Sequence, residues 1–184
     1  MRLRRFPEII EGLAFLDPPA KAVGAVVAKV VPPGRWKDLL SGTWLGHALH
    51  PLLTDLPIGF WTSAWTLDLV GGRRSEVAAR RLVGLGILTA VPTALTGASD
   101  WGDTQGGERR IGLVHAAANS AALASFVVSY ACRRRGHRAT GIAWGWVGAA
   151  AVTAGGHLGG HLITALGVGV DNTAFEVGPQ DWCD

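Results

Sequence analysis

Apolar residues run through the chain in four long stretches, 51–70, 82–99, 111–131 and 140–166, each bounded by charge or glycine. Crossing the hydrocarbon of a bilayer takes about 20 mostly apolar residues in a helix, and all four stretches meet that length. Positions 82–99 and 140–170 contain no Asp, Glu, Lys or Arg. The helix of a soluble protein alternates polar and apolar faces at a period near 3.6, and these stretches do not. Lipid offers no partner to backbone N–H and C=O groups, so such stretches must be helical, and their short connections make neighbours antiparallel. The pattern therefore predicts an all-α fold, an integral membrane four-helix up-down bundle. Residues 20–31 differ: they follow Pro18-Pro19, set Lys21 and Lys29 among valines and alanines, and end at Pro32-Pro33-Gly34. That pattern predicts an N-terminal amphipathic helix lying on the membrane surface. The chain divides into an interfacial segment 1–44, a four-helix domain 45–170 and a tail 171–184.

Composition agrees: 48% of residues are hydrophobic and 17% charged, against about 25% charged in soluble proteins. The formal charge of +3 is carried by short arginine clusters between apolar stretches. It forms no basic stripe, so nucleic acid is excluded as a partner and the lipid bilayer is the expected one. Loop 71–81 carries Arg73, Arg74, Arg80 and Arg81, and loop 132–138 carries Arg133, Arg134, Arg135 and Arg138. Loop 100–110 balances Arg109 and Arg110 with Asp100, Asp103 and Glu108. The arginine-rich loops are expected on the cytoplasmic side and both termini outside, although the basic segment with Arg2, Arg4, Arg5, Lys21, Lys29, Arg35 and Lys37 pulls the other way. Glu8, Glu11 and Asp17 interrupt the apolar character after the basic start, so this end reads as retained, not as a cleaved signal peptide. Trp36, Trp44, Trp101 and Trp182 fall near one interface and Trp144 and Trp146 near the other. Cys132 and Cys183 would then lie on opposite sides of the bilayer, and no CxxC or CxxCH motif appears.

The candidate chemistry lies in the histidines. His47 and His50 open the first stretch, His115 stands a turn into the third, and His157 and His161 lie in the last half of the fourth. An up-down bundle brings all five towards the face that bears the termini, with Asp55 and Asp100 nearby; His137 alone is opposite. Ionisable groups in a membrane cost several kcal/mol unless paired, so the grouping asks for a reason. Gly155, Gly156, Gly159 and Gly160 bracket His157 and His161 in overlapping GxxxG patterns, which allow close helix approach or leave a slot for a flat macrocycle. At about 1.5 Å rise per residue, His115 and His161 lie at matched depth and form the level axial pair, with His50 and His157 the less level one. Three readings stay open. The first is haem b held by facing histidines, with His115 and His161 as ligands and His50 and His157 as ligands or supports. The second is a transition metal ion, zinc, copper or iron, on His50, Asp55, His115, His157 and His161. In the third the histidines are interhelical hydrogen-bond groups of a structural or assembly subunit without a cofactor. A proton or metal-ion permease fits less well, because one small bundle seldom encloses a path. His47 and His137 read as solvated, and Asp68 as a surface partner of Arg73 and Arg74. Pro51 and Pro57 predict a kink near Asp55. No hydrolase signature and no repeat of fixed period stands out.

The segments Gly42-Thr43-Trp44-Leu45-Gly46-His47-Ala48-Leu49-His50-Pro51 and Thr54-Asp55-Leu56-Pro57-Ile58-Gly59 resemble the bacterial membrane family known as domain of unknown function 2231. The resemblance continues through Gly97-Ala98-Ser99-Asp100-Trp101, His115 with Asn119, and Gly155-Gly156-His157-Leu158-Gly159-Gly160-His161, to Val170-Asp171-Asn172-Thr173-Ala174-Phe175. It covers nearly the whole chain. It implies a bacterial cytoplasmic (inner) membrane location. Relatives often carry a C-terminal Rieske-type ferredoxin domain, which implies an electron-transfer setting with an iron–sulfur or other redox protein as partner. The sequence shows no paired Cys/His boxes that would ligate such a cluster. Where relatives tend to read His-Pro twice, this chain has His47-Ala48 and then His50-Pro51, which weakens a ligand role for His47. The resulting expectation is a one-haem or one-metal electron-transfer membrane subunit, alone or as a homo-oligomer.

Overall fold

A computed structural model gives the fold and describes residues 5–169. The motif 170–175, Trp182 and Cys183 lie outside the described residues. All regular structure among the described residues is helical: α1 (Arg5–Glu11), α2 (Asp17–Val30), α3 (Arg35–Ser41), α4 (Leu49–Val70), α5 (Glu76–Trp101), α6 (Gly106–Arg134) and α7 (Arg138–Thr164). α2 begins before the expected position because Pro18 and Pro19 occupy its first turn, where a missing N–H costs nothing. α3 ends on Gly42 in the left-handed region, φ 78°. A Cβ there would lie 2.8 Å from the Leu49 nitrogen, so the turn into α4 requires glycine.

α4 and α5 form one antiparallel hairpin and α6 and α7 another, with α5 packed against α6. Trp61, Ala64, Val83, Ala122 and Phe126 form the central core. A second cluster, Ile10, Ile111, Leu158 and Leu162, joins α1 to α6 and α7 at the histidine end. α1 and α2 pack on α6, and α3 on α5, so the N-terminal helices cover that end. Arg110 ties them down, with Nε 2.6 Å from Asp17 Oδ1 and Nη1 2.5 Å from the Glu11 carbonyl. Lys37 pairs with Asp103, and the Ser41 and Ser99 hydroxyls lie 2.7 Å apart. The amphipathic pattern of α2 is visible: Ala20 and Gly24 are buried while Val23, Val26 and Val30 face outward.

Gly72–Trp101 and Gly106–Arg134 are long and apolar enough to cross a membrane. α4 and α7, of 22 and 27 residues, have the length. Asp55, Asp68 and His50 dilute the hydropathy of the first, and glycine, tryptophan and histidine that of the second. α4 runs unbroken through Pro57. Pro57 has no N–H for the Leu53 carbonyl, and the Thr93 hydroxyl lies 3.1 Å from that oxygen, so a neighbouring helix satisfies the freed acceptor.

Asp68 is not a surface partner of Arg73 and Arg74. It is buried at the opposite end from the histidines, with Oδ2 2.6 Å from Nη2 of Arg133 and Oδ1 3.3 Å from Nη2 of Arg138. Arg133 and Asp68 are 1% and 5% exposed at their side chains. Loop charge suggested a partner next in sequence; the hairpin packing supplies one from α6 instead.

Candidate functional site

His50 stands in the first turn of α4 and His115 in the third turn of α6. Each imidazole leans onto the second helix of its own hairpin at a glycine. A Cβ on Gly97 would lie 2.7 Å from Cε1 of His50, and one on Gly159 would lie 2.8 Å from Cε1 of His115. Lacking those atoms, the helices let the rings reach backbone carbonyls. Nδ1 of His50 is 2.9 Å from the Thr93 oxygen, and Nδ1 of His115 is 2.8 Å from the Gly155 oxygen. A carbonyl can only accept, so Nδ1 carries the proton in both rings and Nε2 keeps its lone pair. The two rings meet across the hairpins with centroids 6.3 Å apart and planes at 86°. One turn below each histidine a polar side chain donates to its carbonyl: Thr54 Oγ1 at 2.9 Å from the His50 oxygen, Asn119 Nδ2 at 3.0 Å from the His115 oxygen. The Asn119 amide also lies 3.2 Å from Nε2 of His115.

The other candidates are placed elsewhere. His161 Nε2 is 3.1 Å from Oε1 of Glu11 on α1. His157 is on the exposed face of α7, and Asp55 on the exposed face of α4. His115 thus faces His50 and not His161, because helical rotation, which depth along the chain does not report, turns His161 towards the N-terminal helix. His47 is exposed, with Nδ1 3.1 Å from the Ala48 oxygen. His137 is exposed at the far end. Among the described residues no three His, Cys, Asp or Glu side chains converge as a metal-holding group. The glycines also separate: Gly155 and Gly159 face Asn119 and His115, while a Cβ on Gly156 or Gly160 would meet open space.

Sequence reasoning missed the Thr93 and Gly155 carbonyls, Glu11 and Gly97 as partners of the histidines. The first two are backbone atoms and carry no signal. Gly97 and the shared spacing His50…Thr54 and His115…Asn119 are legible once the two histidines are set side by side.

A family model described as a predicted membrane protein, DUF2231, matches residues 46–172. No curated protein and no solved structure matches the chain.

Proposed function

Because the chain belongs to the DUF2231 family of predicted membrane proteins, we propose that α4 to α7 each cross the bilayer and that His50 and His115 together hold one metal centre for electron transfer. The outward surfaces support the first part: Leu52, Leu56 and Leu69 on α4, Leu85, Leu88 and Val91 on α5, Val127 and Val128 on α6, and Trp144 and Val147 on α7 are all exposed. Helices whose outer faces are apolar belong in lipid. The N-terminal helices then lie at the interface, where Phe15, Val23, Val26 and Val30 meet acyl chains and Lys21 and Lys29 meet headgroups.

The observation that carries the second part is the matched tautomer of two facing imidazoles. A ring held by an Nδ1–H donated to a carbonyl is oriented and made a better ligand through Nε2. The two ring centroids lie 6.3 Å apart, so a single group bound between the hairpins would be held by His50 from one and His115 from the other. With Asp55 and His157 turned outward and His161 engaged by Glu11, the donor set is two nitrogens from opposite hairpins. That set suits a b-type haem, whose macrocycle supplies the remaining ligands, better than a free transition metal ion, which wants three or four from protein. A haem held there supplies one-electron redox chemistry. The chain would supply the orientation of both rings, each fixed by its carbonyl partner and its glycine contact.

The test is an ultraviolet–visible spectrum with metal analysis of the protein purified from cells supplied with haem. A Soret band lost in His50→Ala and in His115→Ala, and kept in His157→Ala and His161→Ala, is the expected result. Wild-type protein with neither a Soret band nor stoichiometric metal would sink the reading. One observation favours a second reading, a structural or assembly subunit: the Asn119 amide together with the two carbonyls satisfies the imidazoles without a ligand. A partner that co-purifies with the His50→Ala, His115→Ala double variant and is lost on Gly156→Leu would support that reading instead.

A further inference from the structure

Contacts between the hairpins repeat a single relation. His50 of α4 meets His115 of α6. Below them Trp61 stacks on Phe126, centroids 3.9 Å apart at 11°, and below those Asp68 pairs with Arg133. The same step in sequence leads from the first member to the second in all three pairs. It also leads from Thr54 to Asn119, which make the same bond to the histidine carbonyl, and from Ala64 to Ser129, both fully buried. A second constant step relates α5 to α7: Thr93 to Gly155, the two carbonyls that accept from the histidines; Gly97 to Gly159, against which the histidines rest; and Gly86 to Gly148, against which Trp61 and Phe126 rest.

Off these central pairs the contacts are crossed. Trp65 stacks on Trp146, centroids 5.8 Å apart, and its counterpart Tyr130 packs on Gly84, the counterpart of Trp146, 3.0 Å from where a Cβ would stand. Residues on a two-fold axis meet their own counterparts, and residues off it meet in reciprocal pairs. Both relations hold here.

We propose that α4–α7 is two copies of one helical hairpin, fused in one chain and related by a pseudo-two-fold axis along the helices, and that the histidine pair is a composite site on that axis, one ring from each copy. No fixed period appears in the sequence because the connection between α4 and α5, with its turn Gly72–Ser75, is longer than that between α6 and α7, so the step changes from the first helix of each copy to the second. Side-chain identity survives at His50/His115, Gly86/Gly148 and Gly97/Gly159, and role or size at Thr54/Asn119, Trp61/Phe126, Ala64/Ser129 and Trp65/Tyr130; the counterparts away from the shared core have diverged.

The axial charges then acquire a purpose. Two identical hairpins would set like charge against like at the Asp68/Arg133 level; Asp in one copy and Arg in the other lets unlike halves pair and disfavours pairing of like halves. A ligand on His50 and His115 would be met in the same way from both sides. The symmetry stands whether or not a metal binds.

Exchange of counterparts tests it in the full-length, detergent-solubilised chain, read by thermal unfolding. One set is Trp61→Phe, Phe126→Trp and the two together. The other is Asp68→Arg, Arg133→Asp, and the full exchange that adds Glu76→Arg and Arg138→Glu, the counterparts on α5 and α7. Each single variant is expected to melt below wild type and each exchange above both of its singles, since the axis presents matching environments on its two sides. Recovery in either set supports the proposal. If neither exchange melts above both of its singles, the two sides of the axis are not equivalent and the proposal is overturned.

Discussion

At Gly97 and Gly159 a methyl group would come within 2.7 and 2.8 Å of the imidazoles, and neither ring has an easy retreat, since each Nδ1 is tied to a carbonyl of the same helix. Gly97→Ala or Gly159→Ala is therefore expected to cost about 1–3 kcal/mol through forced displacement of the ring. Gly156→Ala and Gly160→Ala, which meet open space, should be within about 0.5 kcal/mol of wild type. Thermal melts of Gly159→Ala against Gly156→Ala and Gly160→Ala separate the two faces of α7, and equal losses at all four positions would contradict the placement. The sequence carried Gly155, Gly156, Gly159 and Gly160 as two overlapping GxxxG patterns with no distinction between them. Which pair faces inward depends on the rotation of α7, and only packing against Asn119 and His115 fixes it. The Arg133 guanidinium poses a different risk. With Arg133→Met the Asp68 carboxylate, 5% exposed, keeps only Arg138 at 3.3 Å. Breaking a buried pair from one side costs about 3–5 kcal/mol, so a large fall in melting temperature is expected. A surface ion pair would give almost none, and that result would return Asp68 to the surface role its neighbours in sequence suggested.

Among the elements, α2 is tied to α6 by an ion pair at its first turn as well as by the packing of Gly24 against Arg109. The Asp17 carboxylate takes hydrogen bonds from Nε and Nη2 of Arg110 at 2.6 and 2.8 Å. Those bonds, and to a smaller extent the Arg110 charge, hold its carboxyl below the usual carboxylate range. Because the folded value is the lowered one, the contribution is present above about pH 4, the value of an unfolded Asp. It is lost as pH falls through the folded value. Asp17 is half exposed, so the effect is local. Amide exchange in α2 should quicken below pH 4 relative to α6, and Asp17→Asn should give the quick rate already at pH 7. Exchange in α2 that ignores both changes would remove the clamp from the account. The helix itself was legible from Pro18-Pro19 and the valine spacing. Its docking was not, because Asp17, Glu11 and Arg110 are far apart in sequence and nothing in the pattern of either segment points to the other. The contact of His161 with Glu11 is hidden for the same reason, since Glu11 comes from the far end of the chain.

At the scale of the molecule, the hydrophobic pattern located all four long helices to within a few residues at most ends, since apolar stretches of this length bounded by charge and glycine have helix as their simplest solution. It could not fix the pairing of hairpins, which rests on Trp61, Phe126, Asp68 and Arg133 meeting across the core. The arrangement sorts the chain into two ends, one with His50, His115, His161 and α1 to α3, the other with the Arg73-Arg74 and Arg133–Arg138 turns and His137. If all four helices cross, the arginine end is cytoplasmic by the positive-inside rule and the histidine end lies outside. Cysteine labelling decides this. In a chain with Cys132 and Cys183 replaced by Ser, Trp44→Cys, Arg74→Cys, Gln105→Cys, Arg135→Cys and Ala165→Cys each place a thiol at an exposed position in a different connection or end. An impermeant maleimide added to intact cells is expected to label positions 44, 105 and 165, and to reach 74 and 135 only after permeabilisation. Each helix lies between two labelling sites of opposite expectation, so a failure names the helix that does not cross. The reverse pattern throughout would keep the four spans and put the histidine pair on the cytoplasmic side, with the basic N-terminal segment, Lys21 and Lys29 included, as the charge that set the orientation.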